Sequence, residues 1–154
     1  MDEKHNRVSE TDQSIRVGAA QVAEVYLDRE GTIEKDCEFV AEAGERGLDL
    51  LVFPEFHVPS RPTWYRFVDD VDFEEYYKRL FDQAVTVPGP ATDRLCAAAA
   101  EAGVALVVGV TEKAPDTAGT MYNTLVVIDA DGTLVGSRRK LVPYVAPAGE
   151  SVPT

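Results

Sequence analysis

The sequence is short of several residue types, and each shortage excludes a class of protein. Only two cysteines and two histidines occur in 154 residues, too few for a disulfide scaffold and without the spacing of a zinc site. No apolar run approaches the roughly 20 residues that cross a bilayer. Residues 1–13 are polar and charged, with no apolar stretch behind them, which argues against a secretory signal. We therefore expect a protein of the reducing cytoplasm without a metal ion.

Basic charge is also scarce, since 15 basic residues stand against 27 acidic ones and give a net charge of −12. A nucleic acid or an anionic membrane would repel such a chain. Ten of the basic residues are Arg and only five are Lys. In a salt-rich cytoplasm, screening would remove the self-repulsion of this acidic, Lys-poor surface. A halophilic source is therefore one hypothesis, and a mildly acidic bacterial protein is the other.

The pattern of predicted strands, helices and turns is typical of one α/β domain with a mixed sheet. We expect residues 1–13 to form a disordered polar tail and residues 14–154 to form the domain. Turn signals include Gly47 and Gly103 as helix ends and the hairpin turn 130–132. Apolar runs and helical spacing predict strands at 15–21, 48–53, 104–110, 120–129 and 133–139, and helices at 30–46, 73–83 and from an N-cap at Thr92 to residue 102.

Three ionisable residues, Glu55, Glu112 and Lys140, each follow a predicted strand. Functional sites of layered α/β folds collect at strand ends, where loops meet above a rigid sheet. A carboxylate there can have its pKa raised by apolar walls and act as a base, while a lysine can stabilise a developing oxyanion. Taken singly, each acid is more often a loop-capping or solvated group, and a lysine after two arginines is usually part of a surface.

Together, five motifs resemble the first part of the nitrilase superfamily of carbon–nitrogen hydrolases, and the resemblance covers about residues 15–145. A segment at 76–90 is similar to the nitrilase branch in particular. The resemblance implies a four-layer α-β-β-α sandwich, of which this chain encodes about half. The remaining motifs are Phe53-Pro54-Glu55, Gly109-Val110-Thr111-Glu112, Tyr122-Asn123-Thr124 and Arg139-Lys140-Leu141-Val142-Pro143.

The resemblance also implies roles and a reaction. Glu55 would be the general base, Lys140 the cation that stabilises the tetrahedral intermediate, and Glu112 the carboxylate that holds Lys140 and the substrate. The reaction would be the hydrolysis of a small nitrile or amide through a thioester-type intermediate on cysteine, with no cofactor. In this family the nucleophilic cysteine lies beyond the Arg-Lys-Leu-Val-Pro motif. We therefore expect a truncated domain that lacks its nucleophile and is inactive alone.

The other reactive or aromatic residues have two interpretations each. Cys37 and Cys96 lie on helix faces beside apolar residues and are expected to be buried structural thiols. His57 either touches the substrate or is a loop residue at the edge of the site. Trp64 and Tyr65 either wall a substrate pocket or pack their long loop onto the domain.

Two alternatives to an enzyme remain open: a non-catalytic remnant or subunit completed by a partner, and a stand-alone α/β module that binds a polar ligand. The strands also predict association, because an open sheet face would expose a large apolar patch. We therefore expect self-association or a partner that supplies the missing half. The residues behind this expectation are Leu50, Val52, Val107, Val126 and Ile128.

Overall fold

A computed structural model of the chain describes residues 14–67 and 70–142. The predicted tail at 1–13 lies outside the described residues, as does Pro143 of the last motif. Within the described ranges, five strands and three α-helices follow each other in the predicted order. They are β1 (Val17–Ala19), α1 (Arg29–Glu45), β2 (Leu50–Val52), α2 (Asp70–Gln83), α3 (Pro90–Ala102), β3 (Ala105–Lys113), β4 (Met121–Ile128) and β5 (Leu134–Arg139), with a 3-10 turn at Thr63–Arg66 before α2.

Local signals explain where α1 begins and where α3 begins and ends. The Asp28 side chain accepts a hydrogen bond from Gly31 N at 3.0 Å and caps α1. Gly103 ends α3 in the left-handed region with φ +66°. The predicted N-cap role of Thr92 is wrong, because α3 begins earlier, at Pro90, a residue suited to a first helical turn. Thr92 Oγ1 instead accepts from Gly89 N at 2.9 Å, inside that first turn.

The sheet is mixed, as predicted, and its strands lie in sequence order from β1 to β5. Strands β1, β2 and β3 are parallel, because helices cross over between them, whereas β3, β4 and β5 form an antiparallel meander. Gly132, with φ +83°, makes the tight turn between β4 and β5. The parallel and antiparallel halves therefore meet at β3.

The two faces of the sheet are covered unequally. Helices α1 and α3 pack on one face, where Leu51, Leu106 and Ile128 belong to the main hydrophobic core. The opposite face carries the cross-strand row Val52, Val107 and Val127, aligned by strand register. Val127 is 38% exposed, and Val52 and Val107 are half-buried. We call this second face the open face.

The five apolar strand residues expected to avoid water thus divide between the faces. Val126 and Ile128 are buried under the helices, whereas Leu50, Val52 and Val107 lie half-buried on the open face. One layer of helices on one layer of sheet is consistent with half of a four-layer α-β-β-α sandwich. No described helix is long and apolar enough to cross a membrane.

Candidate active site

The carboxylate of Glu55 and the ammonium of Lys140 meet across 85 residues of sequence. Lys140 Nζ lies 2.7 Å from Glu55 Oε1, and Asn123 Nδ2 donates to the same oxygen at 2.6 Å. Glu55 belongs to the turn after β2, while Lys140 directly follows β5 and donates its backbone N–H to the Asn123 carbonyl at 2.8 Å. The strand ends therefore bring two of the three predicted catalytic residues into contact, together with Asn123, for which no role was predicted.

Hydrogen bonds determine the charge state of Glu55. The bond from Lys140 lowers the pKa of this carboxyl most, and the bond from Asn123 lowers it further. The expectation of a pKa raised by apolar walls is therefore wrong, because the side chain remains 49% exposed and its donors favour the charged form. Glu55 is ionised at neutral pH, which is the form that can accept a proton.

The turn that carries Glu55 fits tightly against the middle of β3. Phe56 adopts φ +58°, a conformation that non-glycine residues rarely take. Gly109 faces this turn, and a Cβ at Gly109 would lie 2.8 Å from both Glu55 Cα and Phe56 N. Val58 N donates to the Gly109 carbonyl at 3.1 Å and holds the loop on the strand. The absence of a side chain at residue 109 therefore sets the position of Glu55.

Gly109→Ala is expected to destabilise the protein by about 1–3 kcal/mol, since the new methyl group meets backbone atoms that cannot rotate away. Denaturant unfolding measures the loss. Gly136→Ala is the matched control, because Gly136 also lies in a strand and a Cβ there meets nothing within 4 Å. Equal stability of the two variants would show that the turn does not rest on Gly109.

Glu112 lies inside β3 rather than beyond it, which corrects the predicted end of that strand. Its buried carboxylate accepts hydrogen bonds from Arg139 Nη2 at 2.6 Å and from Thr124 Oγ1 at 2.7 Å. Burial by itself would raise the pKa of Glu112, but the bonds from Arg139 and Thr124 outweigh it and the pKa is lowered. Arg139 also lies 3.9 Å above the Tyr122 ring. Glu112 thus fixes Arg139, the residue next to Lys140.

The side chain of His57 is buried against α1 rather than open to a substrate. Its side chain is 2% exposed and its ring stacks on Phe53. Nε2 of His57 lies 2.7 Å from Oδ1 of Asp36, on the buried side of α1. The pair ties the loop after β2 to that helix. Asp36 was overlooked, although an acid on the same helix face as Ile33 and Val40 is a signal of a buried polar contact.

A cavity of ≈ 760 Å³ adjoins the ion pair. Trp64 and Tyr65 line it, and Trp64 also packs against Tyr76 and Phe73 with ring centroids 5.7 and 5.1 Å away. Its wall thus combines three charged side chains with mainly aromatic and apolar ones. Besides Glu55 and Lys140, the lining residues are Phe56, Arg61, Pro62, Trp64, Tyr65, Phe73, Tyr77, Leu80, Thr111, Met121, Tyr122, Asn123 and Leu141.

Neither cysteine lines this cavity. Cys37 in α1 and Cys96 in α3 are unpaired and half-buried, so the expectation of fully buried thiols is only partly met. Burial raises the pKa of both thiols, which disfavours the thiolate. Among the described residues, no group of three or more His, Cys, Asp and Glu side chains is placed to hold a metal ion.

Comparison with known families gives one match, in which residues 16–152 fit the model described as carbon–nitrogen hydrolase. Similar curated proteins include a nitrilase 2 from an unknown prokaryotic organism, 41% identical over 129 residues that cover 84% of this chain and 41% of that protein. The aliphatic nitrilase of Rhodococcus rhodochrous is 36% identical over 132 residues, 84% of this chain and 35% of that protein. The chain therefore spans about two fifths of the length of these relatives.

Solved structures give the same picture at the level of the fold. An amidase from Nesterenkonia sp. superposes with a TM-score of 0.60 at 22% identity, over 86% of this chain and 44% of that one. A carbon–nitrogen hydrolase from Helicobacter pylori superposes with a TM-score of 0.59 at 22% identity, over 83% and 40%. The sheet and helices described above thus recur in proteins of about twice the length.

Proposed function

Since this chain belongs to the carbon–nitrogen hydrolase family, we propose that it carries the Glu–Lys half of an active site that hydrolyses a nitrile or an amide. The observation that carries the proposal is the 2.7 Å contact between Glu55 and Lys140 at the wall of an aromatic cavity. A base and a fixed cation side by side are what a thiol nucleophile needs to attack a carbon–nitrogen bond.

Glu55 accepts the proton of a cysteine thiol in the proposed reaction, and the thiolate attacks the carbon of the nitrile or amide. Charge then develops on the nitrogen or oxygen of the substrate, and the ammonium of Lys140 stabilises it. As Lys140 turns to the substrate, Glu55 loses its strongest donor. Its pKa consequently rises, and it becomes a stronger base at the moment when a base is required.

The balance of atoms for a nitrile is simple. The thiolate and one proton add across the carbon–nitrogen triple bond, one water replaces ammonia to leave a thioester, and a second water releases the carboxylic acid and restores the thiol. An amide needs only one water, because its carbonyl oxygen is already present. No external oxidant or reductant takes part, and the chain's own contribution is the base and the cation.

Glu112 supports the Glu55–Lys140 pair indirectly, through Arg139. Its carboxylate fixes Arg139 through bonds of 2.6 and 3.2 Å, and Arg139 precedes Lys140 at the end of β5. The proposed role of Glu112 is therefore to hold the backbone that presents the catalytic ammonium. A charge that is 5% exposed and doubly bonded is costly to disturb, which suits a positioning role.

The nucleophile is assigned to a cysteine outside these 154 residues, either in a following segment or in a partner chain. Cys37 and Cys96 do not line the cavity, and burial keeps both thiols protonated. On this proposal the 154-residue chain is a truncated, inactive part of the enzyme. The partner alternative is favoured by the open face, since Val52, Val107 and Val127 offer a second sheet an apolar surface.

We further propose a cytoplasmic setting, since both cysteines are unpaired and a reducing compartment keeps thiols in that state. The net charge of −12 and the five lysines favour a salt-rich cytoplasm.

The proposal is tested by a chimera in which this chain replaces the matching two fifths of the nitrilase that is 41% identical to it. The relative then supplies the remaining three fifths. Ammonia release from aliphatic and aromatic nitriles and amides is measured for the chimera and for the 154-residue chain alone. The chimera is expected to release ammonia, and the chain alone to match a blank without enzyme. A chimera that unfolds cooperatively but releases no ammonia contradicts the proposal.

A further inference from the structure

Arg61 is a second cation in the cavity that holds the Glu55–Lys140 pair. It lies in the loop between β2 and the 3-10 turn and lines the same wall as Glu55 and Lys140. These three residues are the charged groups among the described residues that line the cavity. Because Glu55 and Lys140 neutralise each other, the guanidinium of Arg61 is the charge that remains.

The side chain of Arg61 has no hydrogen bond or ion pair with any residue that the structure describes. Its charge nevertheless reaches the reacting pair, since it contributes to the lowered pKa of Glu55. The protein carries 27 acidic residues against 15 basic ones, so acids to pair with an arginine are plentiful. Arg61 is exposed and lines the cavity, so its unpaired guanidinium is open to an anionic group of a ligand.

The rest of the cavity limits what kind of anion fits. The planar guanidinium matches a carboxylate with two parallel hydrogen bonds. The rings of Trp64, Phe73 and Tyr77 line the same space and suit a flat or apolar spacer rather than a polar one. Glu55 does not oppose an anion, because the ammonium of Lys140 compensates its charge and Asn123 donates a hydrogen bond to the same oxygen.

We propose that Arg61 determines specificity for substrates that carry a carboxylate, joined through an apolar spacer to the nitrile or amide that reacts at Glu55 and Lys140. The inference rests on the proposed function, because it takes the ion pair as the reacting end of the cavity. Arg61 touches the far end of the substrate and takes no part in bond breaking.

The test compares two ligands that differ in charge and hardly in shape. One is 3-(cyanomethyl)benzoate, and the other is 3-nitrophenylacetonitrile, whose planar nitro group replaces the carboxylate without its charge. Dissociation constants are measured by ligand-observed NMR titration at low salt for the nitrilase chimera, with the relative's nucleophilic cysteine replaced by alanine so that neither nitrile is consumed. The carboxylate is expected to bind about 10-fold more tightly, as charge-assisted hydrogen bonds to a partly exposed arginine allow. This preference should shrink as KCl is added.

Arg61→Gln is expected to reduce that ratio to near one while leaving the affinity for the nitro compound unchanged. Arg46→Gln is the matched control, since it removes the same charge from an exposed position at the C-terminal cap of α1 and does not line the cavity. Its ratio should stay at the wild-type value. An equal affinity of the wild type for both ligands, or a preference that survives Arg61→Gln, overturns the inference.

Lys140→Met separates this inference from the proposed function. If the nitrile end lies at the ion pair, the variant weakens both ligands by a similar factor. If Lys140→Met weakens the binding of both ligands while Arg61→Gln leaves the ratio of their dissociation constants unchanged, the result supports the proposed function and rejects the role of Arg61. If neither nitrile binds the cooperatively folded chimera with wild-type Arg61 and Lys140 at millimolar concentration, both the proposed site and its specificity are contradicted.

Discussion

In the nitrilase chimera, Glu55→Gln and Lys140→Met should each lower kcat/KM by about 10²–10³-fold, the usual loss when a general base or a charge stabiliser is removed. Glutamine keeps the shape of Glu55 and can still bond Asn123, but it cannot accept the thiol proton. Methionine keeps much of the length of Lys140 but carries no charge. Ammonia release over a range of nitrile concentrations measures both losses.

Two exposed residues of the same chemistry are the controls for these variants. Glu34→Gln changes an exposed acid on α1, and Lys78→Met removes an ammonium that is 77% exposed on α2. Both should retain wild-type kcat/KM. A chimera whose turnover survives Glu55→Gln would mean that another base serves the cysteine. Turnover by the 154-residue chain alone that depends on Glu55 would mean that a nucleophile other than the proposed one is present.

The open face should prevent the 154-residue chain from existing as a monomer at micromolar concentration. Val107, Leu125 and Val127 share that face, and Leu125 is 43% exposed. Covering them by a second copy would bury apolar surface that soluble monomers rarely leave in water. We expect either a face-to-face homodimer or an aggregation-prone chain. Light scattering after size exclusion measures the mass.

Val127→Lys should shift the assembly towards smaller species, because a charge would have to be buried between the two copies. Val25→Lys is the matched control, since Val25 is 40% exposed, close to the 38% of Val127, but lies in the loop after β1. A monodisperse species of 16.8 kDa that unfolds cooperatively and binds no hydrophobic dye would contradict self-association through the open face.

The order and type of the elements followed from the sequence because apolar runs and glycine stops are local signals. The run 48–53 predicted a strand, which the structure places at 50–52 with one face half-buried, and Gly47 and Gly103 follow helices with a positive φ. Strand ends were less accurate. The predicted strand at 104–110 stopped too early, because residues 111–113 remain in β3 only by pairing with 121–123 in β4. No local pattern encodes that pairing.

Contacts between distant residues account for the errors at the site. The sequence placed His57 at the site because it follows Glu55 closely, yet its partner Asp36 lies 21 residues earlier on a helix. The lowered pKa of Glu55 depends on Asn123 and Lys140, which reach it from β4 and from the end of β5. Such effects of tertiary contact appear only when the sheet has been assembled. The motifs identified the residues of the site, whereas the contacts that surround each residue depend on the assembled sheet.

Glu55 and Lys140 are 85 residues apart in the sequence, so the time at which they meet depends on the order in which the sheet folds. The meander of β3, β4 and β5 closes short loops, whereas β1 and β2 must be joined through a helical crossover, and such non-local pairing is slow. We expect the hairpin that carries Lys140 to form early and the turn that carries Glu55 to arrive only when β2 docks on β3. The acid and the ammonium therefore meet only after the parallel and antiparallel parts of the sheet have joined. A partly folded chain would hold both groups and yet present no catalytic pair.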